Sequence, residues 1–257
     1  MRFGFSSRMR VADPFDWVSD LEDLGFEAWE IIHEGDQKLT DESVKRVHDL
    51  VETTNLKVTV HAPYSDLNLA SVNQSVWDIS LRQMLDCVRF IQNYTDSMVV
   101  HPGHLSPLGK QIPELAWNNC IEGIRRICQE AYEFGINIYV ENMINIETLL
   151  GKRPEELVGI VETVNEENVG ITFDVGHANT VGVIDDFLEI FDKVSHLHFH
   201  DNDAVRDLHL PLGEGTVNWG KVLREVRGFK GWVILESRNV QEGAQSLKYA
   251  SELLLKV

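Results

Sequence analysis

Short runs of β-forming residues alternate with longer amphipathic segments along the whole sequence, and this alternation constrains the fold more than any other feature. The pattern is typical of repeated βα units around a parallel sheet. The candidate strands are Arg2–Ser6, Glu27–Ile32, Lys57–His61, Ser97–His101, Ile136–Glu141, Val169–Asp174, Val194–His200 and Gly231–Glu236. Eight such units in 257 residues match the usual content of one barrel. We therefore predict an α/β fold, a single (β/α)₈ TIM-barrel domain over residues 1–257.

Two helical segments can be predicted in detail. Residues 113–134 end at Gly135, a residue that commonly terminates helices. Their apolar stripe consists of Leu115, Ile121, Ile124, Ile127, Cys128 and Ala131. Pro154 opens a helix from Glu155 to Val164, where its missing N–H costs nothing. A doubly wound open sheet is the alternative fold, but residues 4–7 lack the phosphate-binding glycine loop that it requires.

The formal net charge is −18 at pH 7, and the acidic residues are spread along the chain. A solvated acidic surface disfavours nucleic acid as a partner, although a local metal cluster can reverse the potential. The three cysteines, Cys87, Cys120 and Cys128, lack C-x-x-C spacing, as expected for reduced structural thiols. The first ten residues have no apolar core, and no run approaches the length of a membrane span. We expect a cytoplasmic protein without a membrane partner, and leave its oligomeric state open.

Metal-capable side chains recur where the predicted strands end. Active sites of such barrels are built from the carboxyl ends of several strands. The residues concerned are His61, His101, Glu141, Asp174, His198 and Glu236. We therefore predict that they converge on one site at this rim.

Two of these side chains, Glu141 and Glu236, follow apolar runs that should be buried. A buried carboxylate is unfavourable unless a cation or hydrogen-bond donors compensate it. An ion pair with an arginine such as Arg238 is one possible compensation, and a metal ion is the one we favour. Carboxylate oxygens mixed with imidazoles suit zinc, manganese, iron(II), cobalt or magnesium, with zinc or manganese preferred.

Further candidates lie close to the same strands. His177 follows Asp174 in the motif DVGH, and Asp207 and His209 precede a glycine-containing loop, residues 212–215. The seventh strand alternates histidine with apolar residues, so its three imidazoles should point to the same side at different depths. His200 is left open between contact with the site and loop packing. Structural roles are assigned to His33, His48, His104 and His196.

With these residues in hand, the chain resembles the xylose isomerase-like barrel superfamily, which includes sugar isomerases and epimerases, inosose dehydratases and endonuclease IV. The resemblance covers nearly the whole chain. Its motifs are VHAPY, VVHPGH, VEN, TFDVGH, HLHFHDND, DLHLPLGEG and VILES.

The isomerase and epimerase branch implies one divalent ion held by Glu141, Asp174, His198 and Glu236, with His177 on substrate oxygens. His198 rather than His200 follows from the spacing of that family. Glu141 and Glu236 would stand on opposite sides of a bound ketose, one removing a proton beside the carbonyl and the other returning it. The ion would polarise the carbonyl.

The endonuclease IV pattern implies up to three ions. Glu141 would bridge two of them. His61 and His101 would complete the first ion, Asp174, His198 and Glu236 the second, and His177, Asp207 and His209 a third. Such clusters serve phosphodiester hydrolysis at apurinic or apyrimidinic sites.

The surroundings of the site favour the sugar reaction. The loop 32–37, which corresponds to a DNA-inserting loop of endonuclease IV, carries no arginine and two acids. DNA binding draws much of its affinity from cationic contacts to phosphate. We therefore predict a metal-dependent isomerase or epimerase of a small sugar or sugar phosphate, with the endonuclease activity as the alternative. DNA is a partner only under that alternative.

Overall fold

Eight parallel strands close into a barrel in sequence order in the computed structural model, which describes residues 1–8 and 11–256. The strands are β1 (Arg2–Ser7), β2 (Ala28–Ile32), β3 (Lys57–His61), β4 (Ser97–Val100), β5 (Asn137–Glu141), β6 (Val169–Asp174), β7 (Val194–Phe199) and β8 (Trp232–Ser237). The sheet closes where β1 pairs with β8, from Arg2 opposite Trp232 to Ser7 opposite Ser237. All eight predicted strands are confirmed, each within one residue at either end.

Helices cover the outside of this barrel. They are α1 (Asp20–Asp23), α2 (Asp41–Thr53), α3 (Gln74–Ile91), α4 (Pro113–Tyr132), α5 (Pro154–Val164), α6 (Val175–Val181), α7 (Ile184–Glu189), α8 (Trp219–Glu225) and α9 (Val240–Leu254). Single 3₁₀ turns occur at Pro14–Asp16, Gly35–Gln37, Gly109–Gln111 and Phe191–Lys193. No helix in the described part of the chain is both long and apolar enough to cross a membrane.

Helix α4 confirms one predicted segment and corrects its buried face. Pro113 begins the helix, and Gly135, with φ of +69°, follows its end. Leu115, however, is 45% exposed. The buried face instead includes Ala116, Cys120, Gly123, Ile124, Ile127, Cys128 and Ala131. Small residues occupy part of this face because α4 packs closely there: a Cβ at position 123 would lie 3.2 Å from Leu69. A pattern that scores only large apolar residues misses such a face.

The two sides of each strand face different surroundings. Outward-facing aromatic side chains pack under the helices, as Phe173 does on Phe187 of α7 and Phe199 on Trp219 of α8. The interior carries polar groups, among them a fully buried carboxylate at Glu30 of β2. Side chains alternate between the two faces of a strand, so the residue two positions after an interior residue also points inwards, one layer closer to the barrel mouth. The residues of this upper layer form the candidate site.

Candidate metal centre

Glu141, at the end of β5, lies at the centre of the site. Its side chain is 1% exposed, and both carboxylate oxygens contact imidazoles. Oε2 lies 3.1 Å from His61 Nε2 and 2.9 Å from His101 Nε2. Oε1 lies 2.9 Å from His198 Nδ1. Each oxygen thus belongs to a different group of ligand atoms, so the two groups share Glu141.

A second group forms around His198 Nδ1. Besides Glu141, this nitrogen lies 3.4 Å from Glu236 Oε1 and 3.8 Å from Asp174 Oδ2. Asp174 is completely buried, yet its Oδ2 has no hydrogen-bond partner. Glu141, Asp174 and His198 bring their ligand atoms within 4.8 Å of one another.

A third group combines the ends of β6 and β7 with the loop that follows β7. Asp207 Oδ2 lies 3.1 Å from His209 Nε2 and 3.9 Å from His177 Nε2. Asp207 Oδ1 lies 3.4 Å from His200 Nε2, and Asp174 Oδ1 lies 3.2 Å from the same nitrogen. His200, which the sequence left open, therefore contacts the site. Gly176 permits this position, since a Cβ there would collide with the His200 ring.

The donor set fits divalent ions with mixed oxygen and nitrogen ligands. Two atoms that each lie about 2.0–2.1 Å from a tetrahedral zinc ion are about 3.3 Å apart, which is close to the spacings found here. Several of these atoms are buried without a hydrogen-bond partner. They are Asp174 Oδ2, Asp207 Oδ1, His200 Nδ1, His200 Nε2 and His209 Nδ1. A buried polar atom without a hydrogen-bond partner is unfavourable, so these atoms are suited to act as ligands of a cation.

Hydrogen bonds to the backbone orient two of the imidazoles. His61 Nδ1 lies 2.8 Å from the Ala62 carbonyl, and His177 Nδ1 lies 2.8 Å from the Asn142 carbonyl. Each ring therefore donates through Nδ1 and turns its Nε2 towards a carboxylate, Glu141 for His61 and Asp207 for His177. This backbone anchoring of the second nitrogen is typical of metal-binding histidines.

The pKa values of the two glutamates at the ends of β5 and β8 are shifted in opposite directions. Burial by itself would raise the pKa of Glu141, but His198, His101 and His61 hold it well below its usual range. Burial raises the pKa of Glu236; His198 opposes this increase, whereas Asp174 and Glu141 add to it. Two carboxyl groups with divergent pKa values in one site are a common arrangement for paired acid and base roles.

Glu30 of β2 supports the site from below, and the sequence analysis missed it. Its Oε2 accepts hydrogen bonds from Thr59 Oγ1 and His196 Nε2, both at 3.0 Å, and its Oε1 lies 3.1 Å from His198 Nε2. His196, predicted to be structural, therefore belongs to the layer beneath the ligands. Glu30 lies in mid-strand rather than at a strand end, but a charged residue within the apolar run AWEII was a usable signal.

The loop after β7 is organised by Asp201. Its side chain accepts hydrogen bonds from Gly213 N at 2.9 Å and from Trp219 Nε1 at 2.9 Å, and its backbone pairs with Leu210 in both directions. His209, beside this bridge, has φ of +47°, a conformation that is uncommon for residues other than glycine. The packing of the loop thus fixes the backbone of a candidate ligand.

Charged groups outside the cluster have other partners. Arg238 bonds Glu242, so it does not form the ion pair with a buried glutamate that the sequence left as an alternative. Arg206 bonds Asp203. Arg8 lies 3.6 Å from Asp207 and lines the mouth. The histidines predicted to be structural, His33, His48 and His104, lie outside the groups of ligand atoms found among the described residues.

A cavity of about 320 Å³ opens above the ligands. Its lining includes seven candidate ligands, all except Asp174, His198 and His200. Tyr64 closes one side, with its ring stacked 4.6 Å from that of His101. This volume lies at the lower end of the range for small-molecule sites.

The shared position of Glu141 can be tested by metal analysis. We expect Glu141→Gln to weaken metal binding more than tenfold at both groups that contain it, because one ligand is lost from each. Elemental analysis and zinc titration measure the effect, with circular dichroism to verify the fold. Glu147→Gln, whose side chain is 87% exposed, is the control. An unchanged metal content in Glu141→Gln would refute the bridging position.

Glu30 provides a second test. Glu30→Gln keeps the size of the side chain but removes the charge behind His198, so we expect about 10- to 100-fold weaker metal binding at the group that contains His198. Calorimetric titration of the metal-free protein measures this change. Glu27→Gln, on the exposed approach to the same strand, should bind as the unmodified protein does. Equal affinities for the two variants would contradict the supporting role.

Comparisons with known proteins place this geometry in a family. A solved structure of a D-tagatose 3-epimerase-like protein is similar with a TM-score of 0.92 and 33% identity, over 100% of this chain and 99% of that one. An uncharacterized protein of Methanocaldococcus jannaschii is 34% identical over 99% of this chain and 89% of its own length.

More distant relatives carry two kinds of name. Fructoselysine 3-epimerase of Escherichia coli O157:H7 is 22% identical over 84% of this chain and 82% of its own length. A probable endonuclease 4 of Malacoplasma penetrans is 27% identical over 74% of this chain and 69% of its own length. The family model for xylose isomerase-like TIM barrels matches residues 18–257. The chain therefore belongs to the xylose isomerase-like TIM-barrel family.

Proposed function

We propose that the protein is a divalent-metal-dependent isomerase or epimerase that moves a proton beside the carbonyl group of a small sugar-like substrate. One observation carries the proposal: two buried carboxylates, Glu141 and Glu236, reach the same small cavity from strands three positions apart around the barrel. The similarity to a D-tagatose 3-epimerase-like structure and to fructoselysine 3-epimerase supports this choice.

Proton transfer is assigned to the two glutamates. One carboxylate removes the proton from the carbon next to the carbonyl, and the carboxyl group on the other side delivers a proton to the opposite face, which inverts that carbon. His177, whose Nδ1 is anchored on the Asn142 carbonyl and whose Nε2 faces Asp207, is assigned to a substrate oxygen. An ion held by Glu141, Asp174, His198 and Glu236 would polarise the carbonyl.

Phosphodiester hydrolysis of the endonuclease IV type is the second candidate function. The three adjoining ligand groups favour it, because clustered ions suit that reaction. The surroundings oppose it. Glu34, in the loop after β2, accepts hydrogen bonds from the backbone nitrogens of Tyr64 and Ser65, which ties this loop to the next one. Arg8 is the one arginine or lysine among the described residues that line the cavity.

The role of Glu236 is tested by a variant that keeps its shape. We expect Glu236→Gln to lower kcat by about 10²- to 10⁴-fold, because the amide can neither accept nor deliver the proton. Turnover is measured on a panel of ketoses by NMR in D₂O, where deuterium enters the carbon that loses its proton. Glu214→Gln, on the exposed glycine-containing loop, is the control. A metal-replete Glu236→Gln with full activity would eliminate the assigned role.

The two candidate functions differ in how they depend on His61 and His101. For an epimerase we expect His61→Ala to reduce the rate much less than Glu236→Gln does, because His61 lies outside the group that would hold the carbonyl. For a hydrolase the two losses should be comparable. Ketose exchange and nicking of DNA that contains an abasic site are measured in parallel on each variant. Nicking without proton exchange would replace the epimerase proposal by the hydrolase.

A further inference from the structure

The cavity above the ligands has two chemically different walls. One wall consists of the imidazoles and carboxylates of the candidate metal centre. The other is apolar, and it comes from the end of β2, the loop after β3, helix α3 and the loop after β5. Its main residues are Ile32, Leu69, Met84, Met143, Ile144 and Leu149. Ile32, Leu69, Met84 and Met143 are buried, so most of this wall is packed into the protein rather than exposed on a surface loop.

Backbone groups beside this wall are already paired. Asn68 accepts hydrogen bonds from the nitrogens of Ala70 and His104 through its Oδ1, and it donates from Nδ2 to the His104 carbonyl. Leu150 N donates to the Gly103 carbonyl. A hydroxyl group pressed against the apolar wall would therefore lose its hydrogen bonds to water without gaining equivalent ones. Such unpaired burial is unfavourable.

The charges also exclude an anionic group from this wall. Arg8 belongs to the opposite side of the cavity, where its Nη1 lies 3.6 Å from Asp207 Oδ2. Among the described residues no lysine lines the cavity. A phosphate group buried on the apolar side would lose its hydration without a cation to replace it.

We infer that the substrate is a non-phosphorylated carbonyl compound that carries an uncharged apolar substituent, with its oxygen-rich end on the metal centre and the substituent on the apolar wall. This inference rests on the proposed function, since it places the reacting end of the substrate beside Glu141 and Glu236. The two buried methionines allow groups of different shape to fit, because their side chains are flexible and polarisable.

Simple metal-binding probes test the wall without knowledge of the sugar. Acetohydroxamate and hexanohydroxamate share one metal-binding head and differ by four methylene groups, and a hydroxamate with a terminal carboxylate serves as the charged comparator. We expect hexanohydroxamate to bind the zinc-loaded protein at least about tenfold more tightly than acetohydroxamate, since each buried methylene group adds affinity. The charged probe should bind no more tightly than acetohydroxamate. Isothermal titration calorimetry measures all three.

Two variants locate the effect. Met84→Gln changes a buried wall residue at nearly constant size, and Ile144→Gln changes a half-buried loop residue whose replacement threatens the fold less. Both variants should reduce the gain in affinity of hexanohydroxamate over acetohydroxamate and leave the affinity for acetohydroxamate unchanged. The inference would be overturned if the gain in affinity were below tenfold in the unmodified protein, or if a tenfold gain persisted in both variants. Tighter binding of the charged probe than of acetohydroxamate would also overturn it. Deuterium exchange on ketoses reports separately on the proposed function, so the two can fail independently.

Discussion

The carboxylate of Glu141 is the group on which the arrangement at the barrel mouth depends. It is almost fully buried and contacts three imidazoles, which come from the ends of three other βα units. Taking one charged group out of water costs several kcal/mol even after the protein relaxes. Such a cost is tolerated where histidines and metal ions compensate it. The same contacts join the carboxyl ends of β3, β4, β5 and β7 at the barrel mouth.

The strands, and the convergence of most candidate ligands at the mouth, could be predicted from the sequence because the information is local. Most residues of each predicted strand are apolar, so a histidine or carboxylate at the carboxyl end of a strand stands out and is expected at the shared rim. Asp174 and Glu236 are both recognisable in this way. The buried face of α4 was harder, because Ala116 and Gly123 are small and their burial depends on the close approach of Leu69 and its neighbours.

The rest of the site depends on contacts between distant parts of the chain. Glu30 lies 166 residues before His196, and nothing in the local sequence pairs them. His200 reaches the third ligand group only because Gly176 leaves space for its ring and because Asp207 returns to it from the following loop. The apolar wall likewise joins side chains from four separate segments. Patterns along the sequence identify ligands at strand ends, but they do not identify the layer beneath them or the cavity above.

The number of available ligands does not by itself select a reaction in this fold. Three adjoining groups of ligand atoms are compatible with phosphodiester hydrolysis and with proton transfer on a sugar, since both reactions use a divalent ion as an electrophile. The choice between the two reactions therefore depends on what surrounds the candidate ligands. A phosphodiester substrate needs cations along its backbone, whereas this mouth places Glu34 in its loops and apolar side chains such as Leu69 along its cavity. These surroundings disfavour a polyanion and are compatible with a neutral molecule that has one oxygen-rich end, and on that physical ground we propose the epimerase rather than the hydrolase.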